Sequence, residues 1–281
     1  MTEINGYRLI NELSTDNAGF CRWAFCEKNG RQYFIKEFLD PIYPLNATAL
    51  SPKTIARKQL ICDEFFRRKK AFYDTLAKCR SGNIIYVSDF FRYGSKYYAV
   101  SEKVGRSEIT VSELSRESID VKKTLICSIL YSFAWLHHEG IVHADIKPDN
   151  LLIKRTGSGY LTAKIIDFDS GFLVSDVPDE MQGDFVYIAP ETYMKLNDPS
   201  VPINSKSDIF SLGVLFHQIW TSRLPGTDRS HKYVFEAVLD DCQIGISPSI
   251  PNELRDLFGR MLLKDPRERP DATELLHIVQ A

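Results

Sequence analysis

The sequence has no long apolar run. Its most apolar stretches, Ile209–Trp220 and Leu125–Leu136, are too short and too interrupted to cross a bilayer. It has no excess of either charge. Thirty-five Lys and Arg against 37 Asp and Glu leave a net charge of -2, which argues against choosing nucleic acid or a membrane surface by bulk electrostatics. The opening MTEINGYRLI has no basic segment followed by an apolar core, so no signal peptide is visible. Six cysteines are scattered at positions 21, 26, 62, 79, 127 and 242. None forms a Cys-x-x-Cys pair and none is followed by a nearby histidine at ligand spacing, which argues against a zinc module. A disulfide framework is equally out of place in a chain this long. Reduced thiols in the cytoplasm are the reading. There is no internal repeat and no low-complexity linker.

What is present is enough apolar material for a sizeable core, 44% of 281 residues. The first hundred residues read mostly as strands: Tyr7–Leu13, Phe20–Glu27, Gln32–Phe38, Ile84–Tyr93 and Lys96–Val104. Turns are expected at Asp16-Asn17-Ala18-Gly19, Lys28-Asn29-Gly30 and Gly94-Ser95. One helix interrupts them, from about Pro52 to Lys78, with Ile61, Phe65, Phe72 and Leu76 on one face. Near Lys103–Ser107, where Gly105 permits a hinge, the pattern becomes helical: Val121–His138, Ser207–Thr221, Asn252–Leu263 and Asp271–Val279. The fold class is α+β, with a five-stranded antiparallel sheet and one main helix before a mainly helical part.

Between the helix ending at Gly140 and a strand at Leu151–Ile153 lies His143-Ala144-Asp145-Ile146-Lys147-Pro148-Asp149-Asn150. A second strand, Lys164–Ile166, runs directly into Asp167-Phe168-Asp169. Two strand ends thus carry a compact acidic and cationic set. Phosphoryl transfer needs little covalent chemistry from a protein; it needs neutralised phosphate charge and an aligned hydroxyl. Asp145 can accept or orient a hydroxyl proton, and Lys147 can neutralise a moving phosphoryl group. Asn150 and Asp167 offer the hard oxygens that Mg²⁺ prefers.

These segments resemble the catalytic loop and metal-binding motif of the eukaryotic-like (Hanks-type) protein kinases. The resemblance extends over nearly the whole chain and implies one bilobal protein kinase domain over residues 1–281, its N-lobe about 1–103 and its C-lobe about 104–281. Tyr33-Phe34-Ile35-Lys36 resembles the strand that carries the phosphate-binding lysine, with Glu64 as its candidate helical partner. Ala189-Pro190-Glu191 resembles the motif closing the activation segment, with Arg269 matching the arginine that pairs with its glutamate. Asp208 matches the aspartate that braces the catalytic loop. Val100–Val104 resembles the adenine-binding segment, which makes Ser101 the gatekeeper, Glu102 and Val104 the backbone contacts, and Leu152 the floor under adenine. Lys147 followed by Pro148 is similar to the serine/threonine class. The resemblance therefore implies ATP and Mg²⁺ as cofactors and a protein as substrate, and leaves that protein's identity and the oligomeric state open.

The departures from the family are specific. In the glycine-rich loop Ser14 and Asp16 replace the first two glycines and only Gly19 remains. Phe34 stands where alanine usually covers adenine, and Ala144 replaces the arginine that receives an activation-loop phosphate. Asp169 replaces the glycine of Asp-Phe-Gly, and Asp184 replaces a threonine, in reach of a salt bridge to Lys147. The loss of that arginine implies activation without activation-loop phosphorylation, and the segment from Asp167 to Glu191 agrees: it has no threonine, offers only Ser170, Ser175 and Tyr187 as hydroxyls, and carries Asp176, Asp179, Glu180 and Asp184. Together the departures resemble those of divergent bacterial members, the tellurite-resistance-associated kinases among them. A nucleotide-binding scaffold without transfer activity and a small-molecule kinase are the competing readings.

Overall fold

A computed structural model describes all residues except 1, 17, 18, 20, 46, 47, 80, 81, 158, 182 and 281. The chain divides into two compact units, one of residues 1–78 and 85–105, the other of residues 79–84 and 106–281.

The first unit holds β1 (Glu3–Ile4), β2 (Tyr7–Leu9), β3 (Cys21–Lys28), β4 (Arg31–Phe38), α1 (Pro52–Leu76), β5 (Val87–Tyr93) and β6 (Lys96–Glu102). Its sheet runs β1-β2-β3-β4-β6-β5 with every pair antiparallel. It has six strands where the sequence pattern predicts five. The extra strand comes from Asn5-Gly6, both at positive φ, which fold Glu3–Ile4 back on Tyr7–Arg8. Asn-Gly is the residue pair a two-residue hairpin turn demands, because only such residues enter the left-handed region cheaply. The strand expected from Phe20 begins among the described residues at Cys21, and Phe20, Asn17 and Ala18 lie outside the described residues.

Ser51 starts α1 by accepting the Thr54 N–H at 3.2 Å, ahead of Pro52. The buried face of α1 is Cys62, Phe72, Tyr73 and Leu76, with Phe65 ringed by Phe38, Phe90 and Tyr97. Ile61, expected on that face, is 51% exposed. On the sheet's opposite face Ile4, Tyr7, Ala24, Cys26, Ile35, Tyr98 and Val100 form a second core. Glu37 is buried there, forked by Arg22 at 2.5 and 3.0 Å and bonded by the Tyr98 hydroxyl at 2.7 Å, so its charge is matched.

The second unit holds α2 (Val111–Leu114), α3 (Ile119–His138), β7 (Ile141–Val142), β8 (Leu151–Arg155), β9 (Leu161–Ile165), β10 (Phe172–Leu173), α4 (Pro190–Lys195), α5 (Lys206–Thr221), α6 (Val234–Leu239), α7 (Asn252–Met261) and α8 (Ala272–Gln280). Ser118 caps α3, whose Leu125, Ile129, Leu130, Phe133 and Leu136 are fully buried. α5 is buried almost all round, from Ser207 to Trp220, as befits a helix at the centre of a helical core. Ile84, expected in the strand now bounded at Val87, instead bridges Ile165 of β9, and Asn83 accepts the Ile165 N–H at 2.7 Å. Those bonds explain why residues 79–84 belong to the second unit. No helix among the described residues is long and apolar enough to cross a membrane, and all six cysteines are free thiols.

Near the end of α5 His217 joins two loops. Its Nδ1–H donates to the Arg223 carbonyl at 2.8 Å and its Nε2 accepts the Ser247 N–H at 3.1 Å. This pattern needs the neutral ring, and burial pushes the His217 pKa below its ordinary 6.5. A histidine that resists protonation when folded contributes stability that is present above its unfolded pKa and is lost as pH falls through that value toward the depressed one. The urea midpoint is therefore expected to fall between pH 7 and pH 5, and the fall to be shallower in His217→Gln.

Candidate functional site

In the second unit the short hairpin β8–β9 and the pair β7–β10 supply the loops that carry Asp145, Lys147, Asn150 and Asp167. Pro148–Asn150 form one 3₁₀ turn, which brings Asn150 back beside Asp145. The Asn150 Nδ2 donates to the Asp145 carbonyl at 2.7 Å and to its Oδ2 at 2.9 Å. That commits the amide nitrogen and leaves Oδ1 as the atom able to ligate a cation. Lys147 Nζ donates to both Asp145 carboxylate oxygens, at 2.9 and 3.0 Å. Partial burial by itself would lower the Lys147 pKa. The hydrogen bond and charge of Asp145, with the charges of Asp184 and Asp167, outweigh it and hold the ammonium above its ordinary value.

The backbone of this loop is held by Asp208 in the first turn of α5. Its carboxylate accepts the His143 N–H at 2.8 Å and the Ala144 N–H at 3.0 Å, and lies 3.1 Å from His137 Nε2. Ala144 sits at φ 62°, a conformation an L-residue holds at a cost of roughly 1–2 kcal/mol. Asp167 sits at φ 62° as well. Asp tolerates it better, because its short polar side chain can bond locally. The His143 ring reaches the Ile166 carbonyl at 3.1 Å and packs on Phe168 with centroids 4.6 Å apart, tying the two loops together. Leu152 is half-buried on β8, opposite Lys164.

Asp184 does not bridge Lys147 by a hydrogen bond. Its Oδ1 accepts the Val186 N–H at 2.9 Å and its carbonyl accepts those of Tyr187 and Ile188. The carboxylate shapes the turn and acts on Lys147 only through space. The Tyr187 hydroxyl donates to Gln218 Oε1 at 2.6 Å, and burial pushes its pKa up to about 12. Glu191 and Arg269 make a bidentate pair at 2.7 and 2.8 Å, with the arginine side chain fully buried.

In the first unit the register β3–β4–β6 sets Trp23 opposite Lys36, Lys36 opposite Ala99, and Phe34 opposite Ser101. Side chains alternate along a strand, so Phe34 and Lys36 share a face. Trp23 was not singled out by sequence reasoning. Its ring stacks on Phe34 at 5.5 Å and its Nε1–H donates to the Asp16 carbonyl at 2.8 Å. The Ser14 Oγ accepts the Asp16 N–H at 3.0 Å, so side-chain bonds replace glycine at the loop's start, while Gly19 keeps φ 54°. The signal was available: the Lys28-Asn29-Gly30 turn fixes which β3 residue faces Lys36. Glu102 ends β6 and is exposed, and Val104 is half-buried beyond it. Glu64 is exposed on α1, where it is bonded by Arg67 and Arg68 one turn away.

The model of the protein kinase domain matches residues 49–279. This chain belongs to the protein kinase family. Among curated relatives, the kinase is 26% identical to sperm motility kinase Z of Mus musculus, over 81% of this chain and 45% of that protein. It is 30% identical to a CDPK-related protein kinase of Daucus carota, over 69% of this chain and 32% of that protein. It is 27% identical to serine/threonine-protein kinase ssp1 of Schizosaccharomyces pombe, over 97% of this chain and 42% of that protein. The chain thus spans less than half the length of these relatives.

Removing Arg269 leaves a buried carboxylate unpaired. Arg269→Ala is expected to cost about 3–5 kcal/mol of unfolding free energy, measurable by urea denaturation.

Proposed function

We propose that the chain is a serine/threonine protein kinase that transfers the γ-phosphoryl group of ATP to protein hydroxyls. The bonded set of Asp145, Lys147 and Asn150 carries the reading, because each group has the chemistry that one part of the transfer requires. Asp145 orients the acceptor hydroxyl and takes its proton. Lys147, kept protonated by its carboxylate neighbours, balances charge on the phosphoryl oxygens. Asn150 Oδ1 and the Asp167 carboxylate are the hard oxygen donors that would hold Mg²⁺, and the ion when bound neutralises phosphate charge. In unit 1, Lys36 is assigned to the phosphates and Gly19 to the phosphate loop. Ser101, Glu102 and Val104, with Leu152 of unit 2, are assigned to adenine. Glu64 is kept as the helical partner of Lys36, which requires it to leave Arg67 and Arg68. Serine/threonine preference rests on Lys147 before Pro148 and on the similarity to the serine/threonine-protein kinase of fission yeast.

The same reading makes activity independent of activation-loop phosphorylation. Ala144, not an arginine, immediately precedes Asp145, Asp184 supplies fixed negative charge, and the Tyr187 phenol is buried and bonded. Ala144, Asp169 and Asp184 also fit a divergent bacterial branch, and the free thiols fit a cytoplasmic protein. A nucleotide-binding scaffold is favoured by one observation, the Trp23–Phe34 stack on the face that carries Lys36.

Labelled ATP and Mg²⁺ given to the purified chain with candidate acceptors separate the two. Transfer is expected, falling ~10²–10⁴-fold in Asp145→Asn; ATP binding without transfer to any acceptor would leave the scaffold. Ser170 and Ser175 are the serines of the activation segment between Asp167 and Glu191, which has no threonine; the double variant Ser170→Ala, Ser175→Ala is expected to keep the wild-type kcat/KM, and a large loss would make that segment's phosphorylation a requirement.

A further inference from the structure

The segment between α5 and α7 gathers donors that the transfer chemistry does not use. The Gly226 and Gly245 backbones bond each other reciprocally at 2.8 Å, closing the segment around α6. Inside that closure lie Asp228, His231, Asp240 and Cys242. One ligand atom from each of Asp228, His231 and Cys242 lies within 4.8 Å of the others. His231 Nδ1 is 2.8 Å from Asp228 Oδ1, and the Cys242 thiol, beside both, donates to the Asp240 backbone carbonyl at 3.7 Å. The loop geometry is fixed independently of these contacts. Thr227 Oγ1 donates to the His231 carbonyl at 2.9 Å, and the Cys242 N–H donates to the Ala237 carbonyl at 2.8 Å.

We propose that Asp228, His231 and Cys242 form a binding site for one divalent zinc ion, with water in the fourth position. Nitrogen, sulfur and carboxylate oxygen are the donors zinc takes. In a tetrahedral site with metal–ligand bonds of 2.0–2.3 Å the donor atoms stand about 3.5 Å apart. From the 4.8 Å limit the thiol has to close by about 1.3 Å at most, and the 2.8 Å His231–Asp228 pair has to open by about 0.7 Å, both within reach of side-chain rotation. The second observation is Asp240. Its Oδ2 lies 2.9 Å from His231 Nε2, on the side of the ring away from Asp228. A metal-bound histidine usually donates its other ring N–H to a carboxylate, which fixes the tautomer and leaves the ligating nitrogen free of a proton. Binding displaces the Cys242 thiol proton, and any proton on His231 Nδ1, to water. Sequence spacing hides this site because the histidine precedes its cysteine and α6 intervenes. The site stands apart from the phosphoryl-transfer reading and does not depend on it.

Cobalt titration of the intact chain tests it. One equivalent of Co²⁺ is expected to give a sulfur-to-cobalt charge-transfer band and the intense visible bands of four-coordinate cobalt, and one equivalent of Zn²⁺ to abolish both. Cys242→Ser is expected to lose the charge-transfer band, whereas Cys127→Ser is expected to keep it. Asp240→Asn, a change at an exposed surface carboxylate, is expected to weaken Co²⁺ binding ~10–100-fold. Absence of the band in the wild-type chain, its persistence in Cys242→Ser, or unchanged affinity in Asp240→Asn would each overturn the site.

Discussion

A single buried carboxylate fixes the backbone from which the reacting groups project. Asp208 is 1% exposed, and it is held there because α5 is buried on nearly every side. Its bonds to two successive N–H groups keep Ala144 in a left-handed conformation that the chain would otherwise leave. That conformation aims Asp145. The next residue back, His143, reaches Ile166 and Phe168, so the same anchor sets the start of the Asp167 segment. Asp145, Asn150 and Asp167 are thus positioned by one chain of bonds rooted in a helix rather than by three separate loops.

The charges around Lys147 have a related logic. Three carboxylates act on one ammonium, but only Asp145 touches it. Asp184 spends its hydrogen-bonding capacity on the turn at Val186. Close pairing with Asp145 both orients Lys147 and does most to keep it protonated, while the more distant acidic charges add to that without competing for its position.

Much of the second unit was legible because its chemistry is contiguous in sequence. Asp145, Lys147 and Asn150 lie within one turn, so short-range geometry alone brings them together. The Glu191–Arg269 and Asp208 pairings were reachable through the family resemblance, which carries long-range contacts that residue patterns do not. What depended on register was missed. Trp23 faces Lys36 only after the β3–β4 turn is set. The hairpin at Asn5-Gly6 was overlooked because its strands are too short to show alternation. Ile61 fell on the exposed side of α1, since charged residues on every face leave that helix's apolar stripe ill-defined. The cluster around His231 and Cys242 was illegible for a different reason: a reciprocal bridge between two glycines brings its ends together.

Residues 79–84 interleave the two units along the chain. The backbone passes between the two units three times, at 78/79, 84/85 and 105/106. A cut near Gly105 still leaves Ile84 and Asn83 of the N-terminal fragment bonded to β9. A cut near Lys78 strands β5 and β6 on the wrong fragment, away from β4. No single scission of the backbone releases either unit whole. The two are interleaved along the chain, and neither is one continuous stretch of sequence.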